Sequence, residues 1–146
     1  MRNFLWSFFG ILLGSFIGAT VNMSIILLQP YLIPLPEGTN VSSMESLAKS
    51  MVNFEPKHYI MPFLAHALGT LVGAFIASII AKAKKQRVAI IIGGIFLFGG
   101  YDMVKKLPSP LWFDTLDLVV AYLPMALLGY YLGRIVIQKI TKQDYE

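Results

Sequence analysis

Four long apolar segments constrain this chain more than any other feature. They cover about residues 4–28, 59–81, 88–104 and 117–137. Each approaches the roughly 20 residues that cross about 30 Å of hydrocarbon at about 1.5 Å per residue. No water inside a bilayer satisfies bare backbone, so segments of this kind must be helices. The third is the shortest, about 25 Å by the same rise, and needs Lys105 and Lys106 to snorkel to the surface. Only 14% of residues are charged and 56% are hydrophobic, against about 25% charged in an ordinary soluble domain. This composition excludes a disordered chain and argues against a soluble globule. With no cysteine, disulfides, thiolate metal sites and covalent haem are excluded as well. The expected fold is all-α, one transmembrane domain over residues 1–146 that forms a membrane-embedded four-helix bundle.

The net charge of +4 does not point to nucleic acid. The one basic run, Lys82, Lys84, Lys85 and Arg87, is pressed between two apolar segments and reads as a tether between membrane helices. Arg2, Lys82, Lys84, Lys85, Arg87, Arg134, Lys139 and Lys142 fall on one side of the membrane, eight in all; Lys49, Lys57, Lys105 and Lys106 fall on the other, four in all. The positive-inside rule then puts both termini on the cytoplasmic side of the membrane. The two-to-one bias also speaks against dual topology. The first apolar run is longer than the 7–15 residues of a secretory signal core, so it reads as an uncleaved span.

Residues 29–58 are then outside. Pro30, Pro34 and Pro36 argue against regular helix over residues 29–36. Ser42 and Glu45 fit a capping box. After it Met44, Leu47, Ala48, Met51 and Val52 share one face of a short amphipathic helix, expected in the membrane interface. The alternative is packing on the outer end of the bundle. Trp6, Phe8, Phe9, Tyr130 and Tyr131 toward the inside, with Tyr31, Tyr59, Trp112 and Phe113 toward the outside, match the aromatic belts of the two interfaces.

Small residues recur at steps of four: Gly10, Gly14, Gly18 and then Asn22 in the first span, Ala65, Gly69, Gly73, Ala77 and Ala81 in the second, and Gly129 and Gly133 in the fourth. Residues four apart share a helix face, and such flat ridges let backbones approach closely, which is what drives association in lipid. These glycines are expected at helix–helix contacts, within one copy or between copies. Residues 13–19 echo residues 68–74; an inverted repeat would produce this, but shared packing chemistry is the preferred reading of seven residues.

Ionisable groups inside spans are functional candidates by default. Asn22, His66, Asp102 and Asp117 come one from each span at a similar depth in the outer third, with His58, Glu55 and Asp114 just above. Each has a plainer reading: Asp114 and Asp117 as an acidic capping box, Asp102 as a partner of Lys105 or Lys106, Asn22 as one interhelical hydrogen bond. His66 lies about 10 Å inside its span, too deep to cap a helix. It is expected to face the interior and meet Asn22, Asp102 or Asp117. Imidazole changes charge near neutral pH, which makes it a proton or cation handle.

Specific chemistries fare worse. Two histidines about 12 Å apart along one helix cannot clamp a haem, no H-E-x-x-H or similar spacing supports a hydrolytic metal site, and Ser15, Ser24 and Ser78 have no neighbouring base. Whether any metal binds stays open; no cofactor is implied. Small four-helix multidrug exporters use a carboxylate in the first span, where this chain has Asn22.

The strings FEPKH…PFLAHALGT, from Phe54 to Thr70, and LPSPLWF…AYLPMA, from Leu107 to Ala126, resemble a group of small four-span bacterial membrane proteins with no assigned activity. The resemblance implies four spans and an inner membrane, and nothing about chemistry. The expected function is a non-enzymatic membrane protein whose glycine ridges associate helices and whose outer polar cluster binds or passes an ion or small solute. The alternative is an accessory or assembly subunit of a larger membrane complex, with a membrane enzyme third. The lipid bilayer is the implied partner, with a homo-oligomer or a larger complex beside it.

Overall fold

The computed structural model describes residues 2–143, so the chain ends to which the orientation expectation refers, Met1 and residues 144–146, lie outside it. The helices are α1 (Arg2–Leu32), α2 (Met44–Ser50), α3 (Ile60–Ile80), α4 (Lys85–Lys106), α5 (Leu111–Val120) and α6 (Leu123–Gln143), with 3₁₀ turns at Met51–Asn53 and Pro56–Tyr59. Four helical stretches are long and apolar enough to cross a membrane: Arg2–Leu32, Pro56–Ile80, Lys85–Lys106 and Leu111–Gln143. The all-α, four-helix expectation holds.

Three boundaries differ from the expectation. The first helix runs on through Pro30 to Leu32, because a proline in the last turn removes only one hydrogen bond, and Ile33 N still donates to the Gln29 carbonyl at 2.8 Å. The helix stops where Ile33 precedes Pro34, a position biased out of the helical region. The third helix runs past its apolar core: α4 has 22 residues, about 33 Å of helix, with Lys85 and Arg87 in its first turn and Lys105 and Lys106 in its last. The fourth is two helices, α5 and α6, broken at Ala121–Tyr122. Pro124 lies in the first turn of α6, where its missing N–H is tolerated, and it prevents α5 from continuing.

The only fully buried residues of α1 are Gly10, Gly14, Gly18 and Gln29. Its three glycines lie antiparallel on the ridge of α3. A Cβ added at Gly14 would sit 2.5 Å from the Gly73 carbonyl oxygen, and one at Gly73 would sit 2.8 Å from that of Gly14. Gly18 and Gly69 repeat this reciprocity at 2.6 and 2.8 Å, and Gly10 meets the Ala77 carbonyl oxygen at 2.9 Å. On another face of α3, Gly129 of α6 packs on the Leu71 carbonyl oxygen and Gly133 on Ser78 Oγ. Every glycine ridge read from the sequence is therefore occupied inside one copy, so an oligomer cannot be built on those ridges without opening the bundle. Below the middle, Ala74, Ala77, Ala81, Val88, Ala89, Ile92 and Ala126 close a core of mostly small side chains.

The outer loops form a cap. Tyr59, Phe113 and Met51 are buried together, with Leu47, Phe54, Phe63 and Leu107 against them. The rings of Tyr59 and Phe113 lie 4.8 Å apart. So α2 by Leu47, and the 3₁₀ turn after it by Met51, pack on the end of the bundle, while Met44 and Val52 of the same expected face stay exposed. Its N-cap is Ser43, one residue later than expected, and Ser46 replaces Glu45 as the reciprocal partner. Glu45 instead pairs with Lys49 at 2.6 Å. At the other end, Lys82 Nζ sits 4.3 Å above the Trp6 ring, tying α1 to the short α3–α4 turn.

Candidate functional site

His66 lies in the second turn of α3, and its ring turns toward the break between α5 and α6. Its Nδ1 is 2.9 Å from both Asp117 carboxylate oxygens. Tyr122 donates its hydroxyl to Asp117 Oδ2 at 2.8 Å. A carboxylate accepts only, so Nδ1 is assigned the proton and Nε2 is the ring atom left over. Asp117 is 2% exposed and Tyr122 1%, so both are satisfied by each other and by His66, as buried polar groups must be. Thr70 anchors the turn beneath, donating Oγ1 to the His66 carbonyl at 2.7 Å.

The break at Ala121–Tyr122 builds this arrangement. It tips the Tyr122 hydroxyl back toward Asp117, five residues earlier. The ring needs room on α4, and Gly100 supplies it: any side chain there would run into the Tyr122 hydroxyl. The expectation that Asp114 and Asp117 form a capping box is overturned. Pro110 is the N-cap of α5, Asp114 accepts from Ser109 Oγ, and Asp117 sits in the middle of the helix facing inward.

The other candidates are distributed differently. Asp102 is half-exposed and paired with Lys106 one turn on, so it does not join His66. Glu55 pairs with Lys57 at 3.0 Å, and the Lys57 hydrogen bond and charge hold its carboxyl below the usual range. His58 accepts at Nδ1 from the Glu55 backbone N–H at 2.8 Å, closing the 3₁₀ turn, and its carbonyl accepts from the buried Gln29 side chain at 3.1 Å. Glu55 and His58 thus belong to the 3₁₀ turn of the cap, and with Asp102 they stay outside the site. Asn22 stays near it: its Cβ and Cα cover Gly69, and with His66 it lines a cleft of about 400 Å³. Among the described residues, no three His, Asp or Glu side chains converge closely enough to hold a metal ion.

The cleft lies between α1 and α4, both of which pack on α3. From α1 come Ser15, Ala19 and Asn22; from α4 come Phe96, Gly99 and Met103; His66 and Tyr122 form the polar floor. Ala19 and Gly99 are exposed along the mouth. Ser15 Oγ is buried and is the one buried side-chain polar atom without a hydrogen-bond partner among the described residues. Sequence reasoning missed Tyr122, Thr70 and the role of Ser15. A usable signal was present for Tyr122, a hydroxyl in an apolar span just before a proline.

Fold and site together define a helical multi-pass membrane protein in which a partly buried His66 joins the buried Asp117 and Tyr122 beside a cleft. Comparison with family models, curated proteins and solved structures finds no match.

Proposed function

We propose that this chain is a non-enzymatic protein of a bacterial inner membrane, with both termini cytoplasmic, that binds an ion or small solute at His66 or gates its passage. One observation carries the reading: His66, Asp117 and Tyr122 form a satisfied hydrogen-bond cluster at the floor of a cleft that also holds the unpartnered Ser15 hydroxyl. Polar groups at membrane depth are costly to place, and a cluster needed only for packing would have no reason to border an open cleft. With no third acidic or histidine ligand in reach, a solute that hydrogen-bonds suits the site better than a tightly coordinated metal.

The test is ligand-induced thermal stabilisation of the purified chain across a set of small solutes. A ligand present at about 100 times its dissociation constant adds roughly 2.7 kcal/mol to apparent stability. His66→Ala is expected to fold and to lose that shift. Retention of the full shift in His66→Ala would refute the reading.

The orientation rests on the eight-to-four distribution of Lys and Arg. Since the chain has no native cysteine, Ser43→Cys, at an exposed position, gives a clean probe. An impermeant maleimide should label it from outside intact cells. Labelling only after the cytoplasmic face is opened would reverse the orientation.

A second reading, an accessory subunit of a larger membrane complex, is favoured by the apolar side chains left exposed on the outer cap, Val52 at 83% and Val41 at 62%. Stoichiometric co-purification with a larger assembly through that surface would favour it over the solute reading.

A further inference from the structure

Access, charge and hydrogen-bonding capacity together narrow what the cleft can hold. The cap closes the site from the outer loops: Phe63 packs both against the Tyr59–Phe113 layer and against the layer containing Tyr122 and Ala67. The small-residue core closes it from the other side. The exposed residues of the lining are Ala19 of α1 and Ile95 and Gly99 of α4, so the cleft is reached between these two helices and not through a loop. Gly99 lines the cleft at an exposed position, and a Cβ added there would stand in open space with nothing within 4 Å.

The lining carries no unpaired charge. No Lys, Arg or carboxylate lines the cleft, and behind His66 both Asp117 oxygens are engaged. An ionic head would enter this low-dielectric groove without a counter-charge, which is strongly unfavourable. The groove does offer a small polar set. In the neutral tautomer with the proton on Nδ1 toward Asp117, Nε2 of His66 is a lone-pair acceptor. The buried Ser15 hydroxyl has no partner, and Asn22 supplies an amide. A hydroxyl head can donate to Nε2 and accept from Ser15 or Asn22. Ile95, Phe96 and Met103 present an apolar wall to whatever follows the head. A volume of about 400 Å³ lies within the range of pockets that enclose small ligands.

From these observations we infer that the cleft takes an uncharged amphiphile with a hydroxyl head and an apolar tail, entering sideways from the lipid phase. The inference rests on the reading of His66 as a binding group and specifies its ligand class.

The experiment uses the full chain in phosphatidylcholine nanodiscs with a dodecyl alcohol carrying a photoreactive diazirine in its tail, mapped by peptide mass spectrometry. Labelling is expected in α1 around Ala19–Asn22 and in α4 around Phe96–Met103. Unlabelled 1-dodecanol should compete, with dodecane and dodecyltrimethylammonium at least about ten-fold weaker, the effect of one lost buried hydrogen bond. Gly99→Leu should reduce labelling by a similar factor by filling the mouth. Gly94→Leu, on the same helix and equally free of neighbours but outside the cleft lining, should leave it unchanged. Because neither position contacts anything within 4 Å, both variants are expected to fold. His66→Gln should also weaken labelling about ten-fold.

Equal competition by dodecane, or native labelling of Gly99→Leu, would overturn the inference. If the alcohol fails while another solute still shows His66-dependent stabilisation, only the ligand class falls. If neither the alcohol nor any solute depends on His66, the binding reading falls with it.

Discussion

Gly14→Leu is expected to separate α1 from the rest of the bundle. The contact of α1 with α3 is nearly all backbone on backbone, with the Gly73 carbonyl oxygen 2.5 Å and Ala77 Cβ 2.8 Å from where a Gly14 Cβ would stand. Real side-chain carbons do not approach backbone oxygens that closely, and the oxygen belongs to a helix that cannot give locally. Relief requires the whole of α1 to move outward, which also opens the Gly18–Gly69 and Gly10–Ala77 contacts. Overpacking of a well-fitted contact costs about 1–3 kcal/mol. The upper end applies here, because the clash is with backbone and the one buried side chain of α1 beyond its glycines, Gln29, lies about four turns away near the far end of the helix. A fall in thermal midpoint of roughly 5–10 °C follows. Gly73→Leu should behave alike, since the contact is reciprocal, whereas Gly94→Leu should not fall. Thermal unfolding of the three variants in one detergent provides the check, and an unshifted Gly14→Leu would mean that α1 is held by something else.

Asp117→Leu is expected to have the second large effect. The substitution leaves the Tyr122 hydroxyl and His66 Nδ1 without an acceptor in an apolar setting. Each stranded donor costs about 1–3 kcal/mol, although polar pairs inside membranes often measure less because the unfolded state in lipid also finds partners. A loss of about 2–4 kcal/mol is the expected outcome. Adding Tyr122→Phe and His66→Phe to Asp117→Leu should recover most of it, since no polar atom of the cluster is then stranded and buried ionic or polar clusters are often replaceable by apolar groups. That recovered variant separates structure from function: it should fold as well as the native chain and fail to show any ligand-induced stabilisation. Unfolding midpoints of the single and triple variants test both halves. Equal stability of Asp117→Leu and the native chain would contradict the hydrogen-bonded cluster.

Much of this was legible in the chain, for identifiable reasons. Span existence follows from length and hydropathy. Glycines spaced by four declare a face, and a face of glycines has few uses in lipid other than close approach. His66 could be singled out because a ring nitrogen at that depth must find a partner. What stayed hidden depended on where helices break. Reading Pro124 as interior to one span put Asp117 in a first turn and made it look like a cap. With the break at Ala121–Tyr122, the same residue becomes the buried centre of the site and Tyr122 becomes its third member. Pro30 misled in the opposite sense, since a proline in a last turn need not end a helix. Asp102 shared a depth with His66 but not a helix face, and its own Lys106 lay closer. The cleft had no sequence signal at all, because it depends on how α1 and α4 sit against each other and on α3.

The central claim, that the His66 cluster is a ligand site facing a lateral cleft, is tested most directly by an experimental structure of the full chain in native lipid. The account predicts non-protein density between α1 and α4 within hydrogen-bonding reach of His66 Nε2, with Nδ1 still on Asp117 and the Ser15 hydroxyl partnered. A cleft closed by Phe96, with Ser15 bonded to its own helix backbone and His66 turned away from Asp117, would contradict it.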